Sequence, residues 1–309
     1  MIIICTRFRP ESHCLVKGIV DIMRFLRNLL GLAKPSGSAP ISPALPTAPS
    51  PRPRLEVGWA TDVGEVRHHN EDAALVITAE HGDDGAAPGL GILILADGMG
   101  GQQAGEVASS IAARIVAYTI VRQFYLPLLT GQERLADQPA LNEVLVNAVQ
   151  AANNAVAGQV PGGGTTLTCA LVLGSRAYVA HVGDSRAYIV SGEGLSQITH
   201  DHSLVDRLVE LGQLTRDEAT IHPQKNVLYR AVGQSGTLEV DTSMHVIPQG
   251  GRLLLCSDGL WTMVSEAEMA YIIATAPSLQ EACNGLIAAA NRAGGPDNIT
   301  VILVEPPAG

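Results

Sequence analysis

Aromatic residues are scarce in this 309-residue chain, in which Phe, Trp and Tyr make up 4% of the sequence and hydrophobic residues 46%. A buried core must therefore be built mainly from Ala, Val, Leu and Ile. The chain is long enough for one large domain or two small ones, with enough apolar side chains to bury a sizeable core. We therefore expect a globular protein.

The sequence also lacks paired cysteines. Its five cysteines include no Cys-x-x-Cys pair, and no His stands at zinc-binding spacing, which argues against a zinc site or a disulfide framework. Cys169 and Cys256 lie in apolar, strand-like runs, where a buried and inert thiol is the simplest interpretation. This cysteine usage fits a reducing compartment.

Long hydrophobic runs are missing as well. No uninterrupted apolar stretch reaches the roughly 20 residues that a membrane-spanning helix needs. The apolar run at residues 1–5 is too short for a signal peptide, and no cleavage site follows it. We therefore expect a cytoplasmic protein without a transmembrane segment.

Basic residues are few outside the first part of the chain. The net charge is −10, yet residues 1–54 hold eight Lys or Arg and only two acidic residues, which leaves twelve basic and 28 acidic residues for the remainder. Binding a nucleic-acid backbone requires a basic surface, so we expect no nucleic-acid partner. Clustered metal-binding carboxylates would produce such an acidic body.

The first 54 residues read as an N-terminal extension. Residues 18–34 have apolar side chains at helical spacing with basic residues between them, and residues 39–53 form a Pro/Ser/Ala linker expected to be extended or disordered. The extension is either a docking or membrane-surface helix on a tether or a dispensable addition, with Met23 as the true start. We prefer the second interpretation. Residues 55–309 read as one continuous domain.

Within that domain, short strand-like runs are separated by blocks of helical pattern. This order favours an α+β fold in which an antiparallel β-sandwich is covered by helices on both sides. The helical stretches are residues 102–126, 139–159 and 279–292. The strand-like runs are residues 56–61, 73–78, 91–96, 165–173, 176–182, 186–190, 238–246, 252–257 and 298–304.

Four segments place an Asp where a strand gives way to a turn. A single Asp-Gly pair is usually a hairpin turn, but four Asp side chains meeting at one end of a sheet would repel one another unless a cation lay between them. All-oxygen ligands suit Mg²⁺ or Mn²⁺ rather than Zn²⁺. Two such ions can activate one water for attack on phosphorus. The segments are LILADGMGG, HVGDSRAY, LLLCSDGLW and GGPDNITV.

A fifth segment, residues 61–72, reads TDVGEVRHHNED. Arg67 offers a planar fork for two phosphate oxygens, and Glu71 and Asp72 could orient metal-bound waters. A surface Arg paired with Glu71 is the alternative.

Taken together, the chain resembles the metal-dependent protein phosphatases (the PPM, or type 2C, family) in their bacterial form. Five ordered motifs carry the resemblance: DVGEVRHHNEDA, LADGMGGQQAGEVAS, HVGDSRAY, LLLCSDGLW and GGPDNITV. It implies a central antiparallel β-sandwich flanked by pairs of antiparallel helices. It also implies hydrolysis of phosphoserine and phosphothreonine in proteins by direct attack of a metal-bridging hydroxide, with two or three Mn²⁺ or Mg²⁺ ions.

The resemblance assigns roles residue by residue. Asp97 would bridge both metals, with the Gly98 carbonyl on the second ion. Asp258 and Asp297 would complete the first ion's ligands. Asp184 would hold a third ion together with Asp258.

Three further roles follow from the same resemblance. Arg67 would clamp the substrate phosphate, and Asp72 would contact a metal through water. Residues 200–233 would form a flap beside the active site that contributes to substrate selection. We expect a monomer whose partners are phosphorylated proteins and a bacterial Ser/Thr kinase.

One position departs from the family pattern. Eukaryotic members have a His that is proposed to protonate the leaving group, and Met99 stands there in this chain. The general acid is left open between a metal-bound water, His200 and His202. His68 and His69 are interpreted as packing or surface residues.

Two other functions compete with a phosphatase. A non-catalytic phosphoprotein-binding module should have lost a metal ligand, yet Asp97, Asp184, Asp258 and Asp297 are all present. A two-metal nuclease would need a basic stripe, which the acidic body does not offer. Trp261, after the SDGL motif, is interpreted as a core plug rather than a binding platform.

Overall fold

The computed structural model describes residues 54–80, 89–101, 103–129 and 140–307. Apart from Arg54, the predicted extension with its amphipathic segment and linker lies outside these residues, as do Cys5 and Cys14.

Two antiparallel sheets form the centre of the fold. In the first the strands lie in the order β1-β11-β10-β7-β8, and in the second β2-β3-β5-β6-β9, with β4 pairing β3. The strands are β1 Glu56–Asp62, β2 Asp72–Ala79, β3 Leu90–Met99, β4 Gly164–Thr165, β5 Leu167–Leu173, β6 Arg176–Val182, β7 Arg186–Ser191, β8 Gly194–Gln197, β9 Asp241–Val246, β10 Arg252–Cys256 and β11 Ile299–Glu305.

Helices cover both outer faces of the paired sheets. A π-helical turn, Val121–Tyr125, joins the first two of them. The helices are α1 Ala104–Ile120, α2 Leu126–Leu129, α3 Leu141–Gln159, α4 Leu204–Glu210, α5 Arg216–Thr220, α6 Asp258–Trp261, α7 Glu266–Thr275 and α8 Leu279–Arg292.

Strand β3 shows how the sequence creates the layers. Ile92 and Ile94 face the cluster that contains α1 and α3, whereas Leu93 and Leu95 face the cluster between the two sheets. Successive strand side chains point to opposite faces, so a strand buried on both sides needs a continuous apolar run. A third cluster lies between the five-stranded sheet and α7 and α8. Among the described residues Tyr188 is the only buried aromatic side chain of the core, which matches the predicted aliphatic core.

The predicted fold class is confirmed, with local differences. Strand β3 continues through Met99 rather than ending at residue 96, because β4 pairs with its last two residues. The strand predicted from residue 238 begins at Asp241. Strand β8 and helix α7 were not predicted, and neither were the short helices α4, α5 and α6.

One helical run, Ala104–Leu129, is long and apolar enough to cross a membrane by length and composition alone. More than half of its most apolar window, 56%, is buried inside the fold. Ala108, Ala112 and Val116 of this run belong to the core cluster under the six-stranded sheet. Packing against β3 therefore accounts for the buried part of its hydrophobicity.

Candidate active site

Asp97 lies inside β3, not at its end. Its N–H donates to Thr166 Oγ1 at 2.9 Å and its carbonyl accepts from the Thr166 N–H at 2.8 Å. Asp72, the first residue of β2, stands directly opposite in the antiparallel register. The sheet thereby places two of the predicted site carboxylates side by side.

Gly98 follows Asp97 because the backbone is crowded at this point. A Cβ built at Gly98 would lie 2.3 Å from the Gly105 carbonyl oxygen and 2.6 Å from that of Glu71. Only glycine fits such an approach. The chain turns after it, at Gly100 and Gly101, where φ is +124° and +84°.

Asp258 and Asp297 reach the same region from the other sheet. Asp258 opens α6 immediately after β10, and Asp297 precedes β11 and accepts the Asn298 N–H on Oδ1 at 2.9 Å. Ser257 links the two sheets here, since its Oγ donates to Asp72 Oδ2 at 2.9 Å.

Asp184 occupies the turn between β6 and β7. Its backbone carbonyl accepts a hydrogen bond from Trp261 Nε1 at 3.1 Å, and the Arg186 guanidinium lies 3.5 Å from the centre of the Trp261 ring. Arg186 in turn donates to Asp201 at the start of the predicted flap, with Nη2 to Oδ2 at 2.7 Å. Trp261 therefore packs against the Asp184 turn and is partly buried beside the core cluster of the five-stranded sheet.

Arg67 lies in the loop of residues 63–71 between β1 and β2. Its Nη2 forms an ion pair with Asp297 Oδ2 at 2.8 Å, and its side chain is half exposed. The predicted alternative, a pair with Glu71, is not the contact in the structure. Because the guanidinium has five N–H donors, its remaining donors stay available to a ligand.

These residues meet around one pocket of about 500 Å³. Four separated segments contribute Asp97, Asp184, Asp258 and Asp297 to its lining, and the loop contributes Arg67. Asp72 stands opposite Asp97 in the sheet and is partly buried, with its Oδ1 shielded from solvent. The folded chain thus brings together the carboxylates that sequence analysis singled out.

Burial and mutual repulsion dominate the electrostatics of this group. The pKa of Asp97 is raised well above its usual value by burial and then by the charges of Asp72, Asp258 and Asp184. The pKa of Asp184 is raised, first by burial and then by Asp258 and Asp201. Burial is likewise the first cause of the raised pKa values of Asp72 and Asp258. A site that disfavours its own negative charges favours a cation.

The donor set fits a hard divalent cation. Asp72 Oδ1 and Asp258 Oδ1 are buried without a hydrogen-bond partner, and buried polar atoms are otherwise nearly always paired. All candidate ligands are oxygens, as Mg²⁺ and Mn²⁺ prefer. Across the described ranges, however, no three His, Cys, Asp or Glu side chains already converge closely enough to hold a metal. Asp297 pairs with Arg67 instead, so ligation by Asp297 requires it to exchange that partner.

The prediction that His68 and His69 are packing or surface residues is confirmed by their exposure, and both also border the pocket. His68 and His69 are exposed and line the pocket beside Arg67, together with Met99. His202 is buried, with Nδ1 accepting the Gly183 N–H at 3.1 Å and Nε2 lying 3.2 Å from Asp241 Oδ2. Neither His202 nor His200 belongs to the pocket lining.

The predicted flap, residues 200–233, is attached at both ends near the site. His202 N–H donates to the Gly183 carbonyl at 2.7 Å, and Val232 pairs with Thr165 through two backbone hydrogen bonds. Asn226 and Leu228 reach the pocket lining. The segment therefore forms one wall of the pocket.

Three residues that organise the site were not predicted: Thr166, Ser257 and Asn298. Each acts through hydrogen bonds to a partner distant in the chain, such as the Ser257–Asp72 bond between residues 185 positions apart. No local pattern reveals such pairs. Their position beside motif residues was the available signal.

Comparisons with known proteins agree with this geometry. The protein phosphatase 2C family matches residues 68–291. "Serine/threonine phosphatase stp" of Listeria innocua is 42% identical over 252 residues, which cover 81% of this chain and 96% of that protein.

Solved structures give the same result. The S. agalactiae serine/threonine phosphatase has 33% identity and a TM-score of 0.69, covering 82% of this chain and 99% of that one. The catalytic domain of the serine threonine protein phosphatase PstP, solved in complex with two manganese ions, has 35% identity and a TM-score of 0.65, covering 81% and 97%.

The order of the motifs, the layered fold, the carboxylate pocket and these relatives lead to one conclusion: the chain belongs to the metal-dependent protein phosphatase 2C family in its bacterial form.

Proposed function

We propose that this chain is a metal-dependent phosphatase that hydrolyses phosphoserine and phosphothreonine in proteins. One observation carries the proposal. Four aspartates from four separate segments line the same pocket as an exposed Arg. Acidic ligands for cations beside a phosphate-binding guanidinium are what phosphoester hydrolysis requires.

The residues that would hold the ions are the predicted ones. We assign Asp97, the Gly98 carbonyl, Asp258 and Asp297 to two Mn²⁺ or Mg²⁺ ions, Asp72 to a contact through water, and Asp184 to a third ion. The unpartnered oxygens of Asp72 and Asp258 support this assignment. Bound ions would supply an activated water and a Lewis acid for the phosphoryl oxygens.

Arg67 has a separate task. If Asp297 exchanges Arg67 for an ion, the released guanidinium can bind the substrate phosphate and stabilise the negative charge on its equatorial oxygens. The half-exposed side chain can reach a phosphorylated residue that projects from a protein surface.

The group that protonates the leaving oxygen must be able to reach the pocket. Met99 has no proton to give, and His202 uses both ring nitrogens inside the fold. Of the imidazoles within the described residues, only His68 and His69 line the pocket. They are therefore the side-chain candidates for this step, with solvent water as the alternative.

The flap beside the pocket bears on which substrates the site accepts. The pocket is walled by residues 226 and 228 of the flap, which we propose contacts the protein around the phosphorylated residue. We propose that the enzyme is a cytoplasmic monomer and reverses the action of a bacterial Ser/Thr kinase. Residues 55–309 form the catalytic domain.

A panel of substrates tests the proposal directly. With Mn²⁺ present, a phosphothreonine peptide and p-nitrophenyl phosphate should be hydrolysed, single-stranded DNA should not, and a chelator should stop turnover. Hydrolysis that survives the chelator, or cleavage of DNA alone, would refute it. Binding of the peptide without turnover would identify a binding module instead.

Arg67→Ala provides the residue-level test. We expect KM for the peptide to rise at least about tenfold, since a charge-assisted contact contributes about 1.5–3 kcal/mol. Arg114→Ala, on the exposed face of α1, is the matched control and should leave KM unchanged. An unchanged KM in the Arg67 variant would remove Arg67 from the phosphate-binding role.

A further inference from the structure

The loop of residues 63–71 has little structure of its own. It links β1 to β2 without helix or strand, yet it brings Arg67, His68, His69 and Glu71 to the pocket lining. Because Arg67 is exposed, packing of its side chain does not fix the position of the loop. Something else must hold the backbone that carries it.

One buried side chain, that of Asn298, contributes three hydrogen bonds to the loop. Asn298 Nδ2 donates to the Val63 carbonyl at 3.0 Å and to the His69 carbonyl at 2.9 Å, while its Oδ1 accepts the Glu71 N–H at 2.8 Å. Asn298 is only 4% exposed. Both ends of the loop are therefore attached to one amide group that lies more than 225 residues away in the chain.

Asparagine suits this position chemically. The loop presents two carbonyl acceptors and one N–H donor, and an amide offers two donors and an acceptor in return. An Asp in the same place would turn acceptor oxygens toward two carbonyls, and an Ala would leave three backbone groups unpaired. Neither substitution can reproduce the set of hydrogen bonds.

The backbone N–H of Asn298 is already hydrogen-bonded to the side chain of Asp297. This N–H donates to Asp297 Oδ1 at 2.9 Å, and Asp297 Oδ2 pairs with Arg67 at 2.8 Å. Every replacement of the side chain other than proline keeps that N–H. A substitution at Asn298 thus changes the loop while leaving this hydrogen bond to Asp297 available.

We infer that Asn298 is a positioning residue for substrate binding, which fixes the loop so that Arg67 meets a phosphate held over the aspartates. The inference rests on the proposed phosphatase function. The loop has other anchors, such as the Glu65 N–H to Gly295 carbonyl bond at 2.8 Å. Loss of the amide should therefore misplace the loop rather than unfold the domain.

The test is a double-mutant cycle with Mn²⁺ and a phosphothreonine peptide. Asn298→Asp should raise KM on the order of tenfold, as Arg67→Ala does. In the Arg67→Ala background it should raise KM less than twofold further, because the residue acts through Arg67. Asn284→Asp, at an exposed site on α8, is the matched control and should leave KM unchanged.

Two further measurements separate positioning from general damage. The Mn²⁺ concentration for half-maximal activity should stay within about twofold of the wild-type value, since Asp297 keeps its backbone donor. Amide hydrogen exchange should rise in residues 63–71 and stay unchanged in β10. Asn298→Ser is measured in parallel, so that the cycle can be completed if the Asp variant fails to fold.

Several results would overturn the inference. KM effects that multiply in the double variant, an unchanged KM in Asn298→Asp, or a large shift in the Mn²⁺ requirement would each exclude action through Arg67. Failure of the proposed function has a different signature, because the wild-type protein would then show no Mn²⁺-dependent turnover at all.

Discussion

Replacing Asp258 by Asn should abolish turnover and at the same time stabilise the metal-free protein. The carboxylate is buried with Oδ1 unpartnered, and Asp297 adds a like charge nearby. Together these effects raise the pKa of Asp258 from 3.8 to about 6, with burial as the largest cause. The ionised side chain therefore opposes folding when no cation is bound.

The sign and size of the effect follow from this pKa. The pKa of Asp258 is higher in the folded than in the unfolded protein. The protonated side chain therefore stabilises the fold fully below about pH 3.8, and this stabilisation is lost as the pH rises through about 6. Each tenfold change in the ionisation constant is worth about 1.4 kcal/mol. At pH 7.5 the ionised Asp258 side chain thus lowers the free energy of unfolding of the metal-free protein by on the order of 1–3 kcal/mol, or about 2–10 °C in Tm for a domain of this size.

Differential scanning fluorimetry on chelator-treated protein measures the effect. At pH 7.5 the Asp258→Asn variant should melt above the wild type, and the difference should shrink at pH 4.5. Mn²⁺ should raise the Tm of the wild type much more than that of the variant. Asp217→Asn, at an exposed site on α5, is the control and should change neither value. A metal-free variant that melts below the wild type at pH 7.5, or one that keeps Mn²⁺-dependent turnover, would refute the reasoning.

Three other outcomes are expected. Removing divalent cations from the wild type should lower Tm by about 5–10 °C at pH 7.5, if the ion was present at a hundred times its Kd. The loss of Tm should be smaller at pH 5.5, because the raised pKa values of Asp72 and Asp184 keep both side chains neutral there. An equal loss at both pH values would contradict this. Treatment of the folded protein with iodoacetamide at pH 8 should leave Cys169, Cys256 and Cys283 unmodified, because burial raises the pKa of each thiol to about 12. Mass spectrometry detects the modification, and alkylation at these positions would count against their burial. A chain that starts at residue 54 should keep the kcat of the full chain on p-nitrophenyl phosphate, and a large loss would show that the extension is needed for catalysis.

Much of the fold could be predicted from local patterns. The nine strand-like runs correspond to observed strands. The clearest is β3, because a strand buried on both faces must be apolar along its length, as Ile92 to Leu95 are. Strand β8 escaped prediction because its sequence, GLSQ, alternates weakly and is half exposed. Short helices such as α4 depend on a single Ser203 cap and on packing, which no periodicity over seven residues can reveal.

The site was predictable only in part. Its carboxylates stand in recognisable motifs, but what arranges them is long-range. The antiparallel register puts Asp72 opposite Asp97, and the ion pair of Arg67 with Asp297 joins residues 230 positions apart. The pocket-facing position of His68 and His69 depends on how the loop is attached to Asn298. Sequence alone could not separate them from ordinary surface histidines.

The place of β11 in the sheet has a consequence for how the enzyme is made. This strand lies between β1 and β10. Strand β1 can therefore pair within the sheet only after β11, one of the last segments of the domain, has been synthesised. Asp297 and Asn298 arrive with that same segment. A ribosome-bound chain therefore holds its early half without a finished catalytic centre, and hydrolytic activity should begin only once nearly the whole domain has emerged.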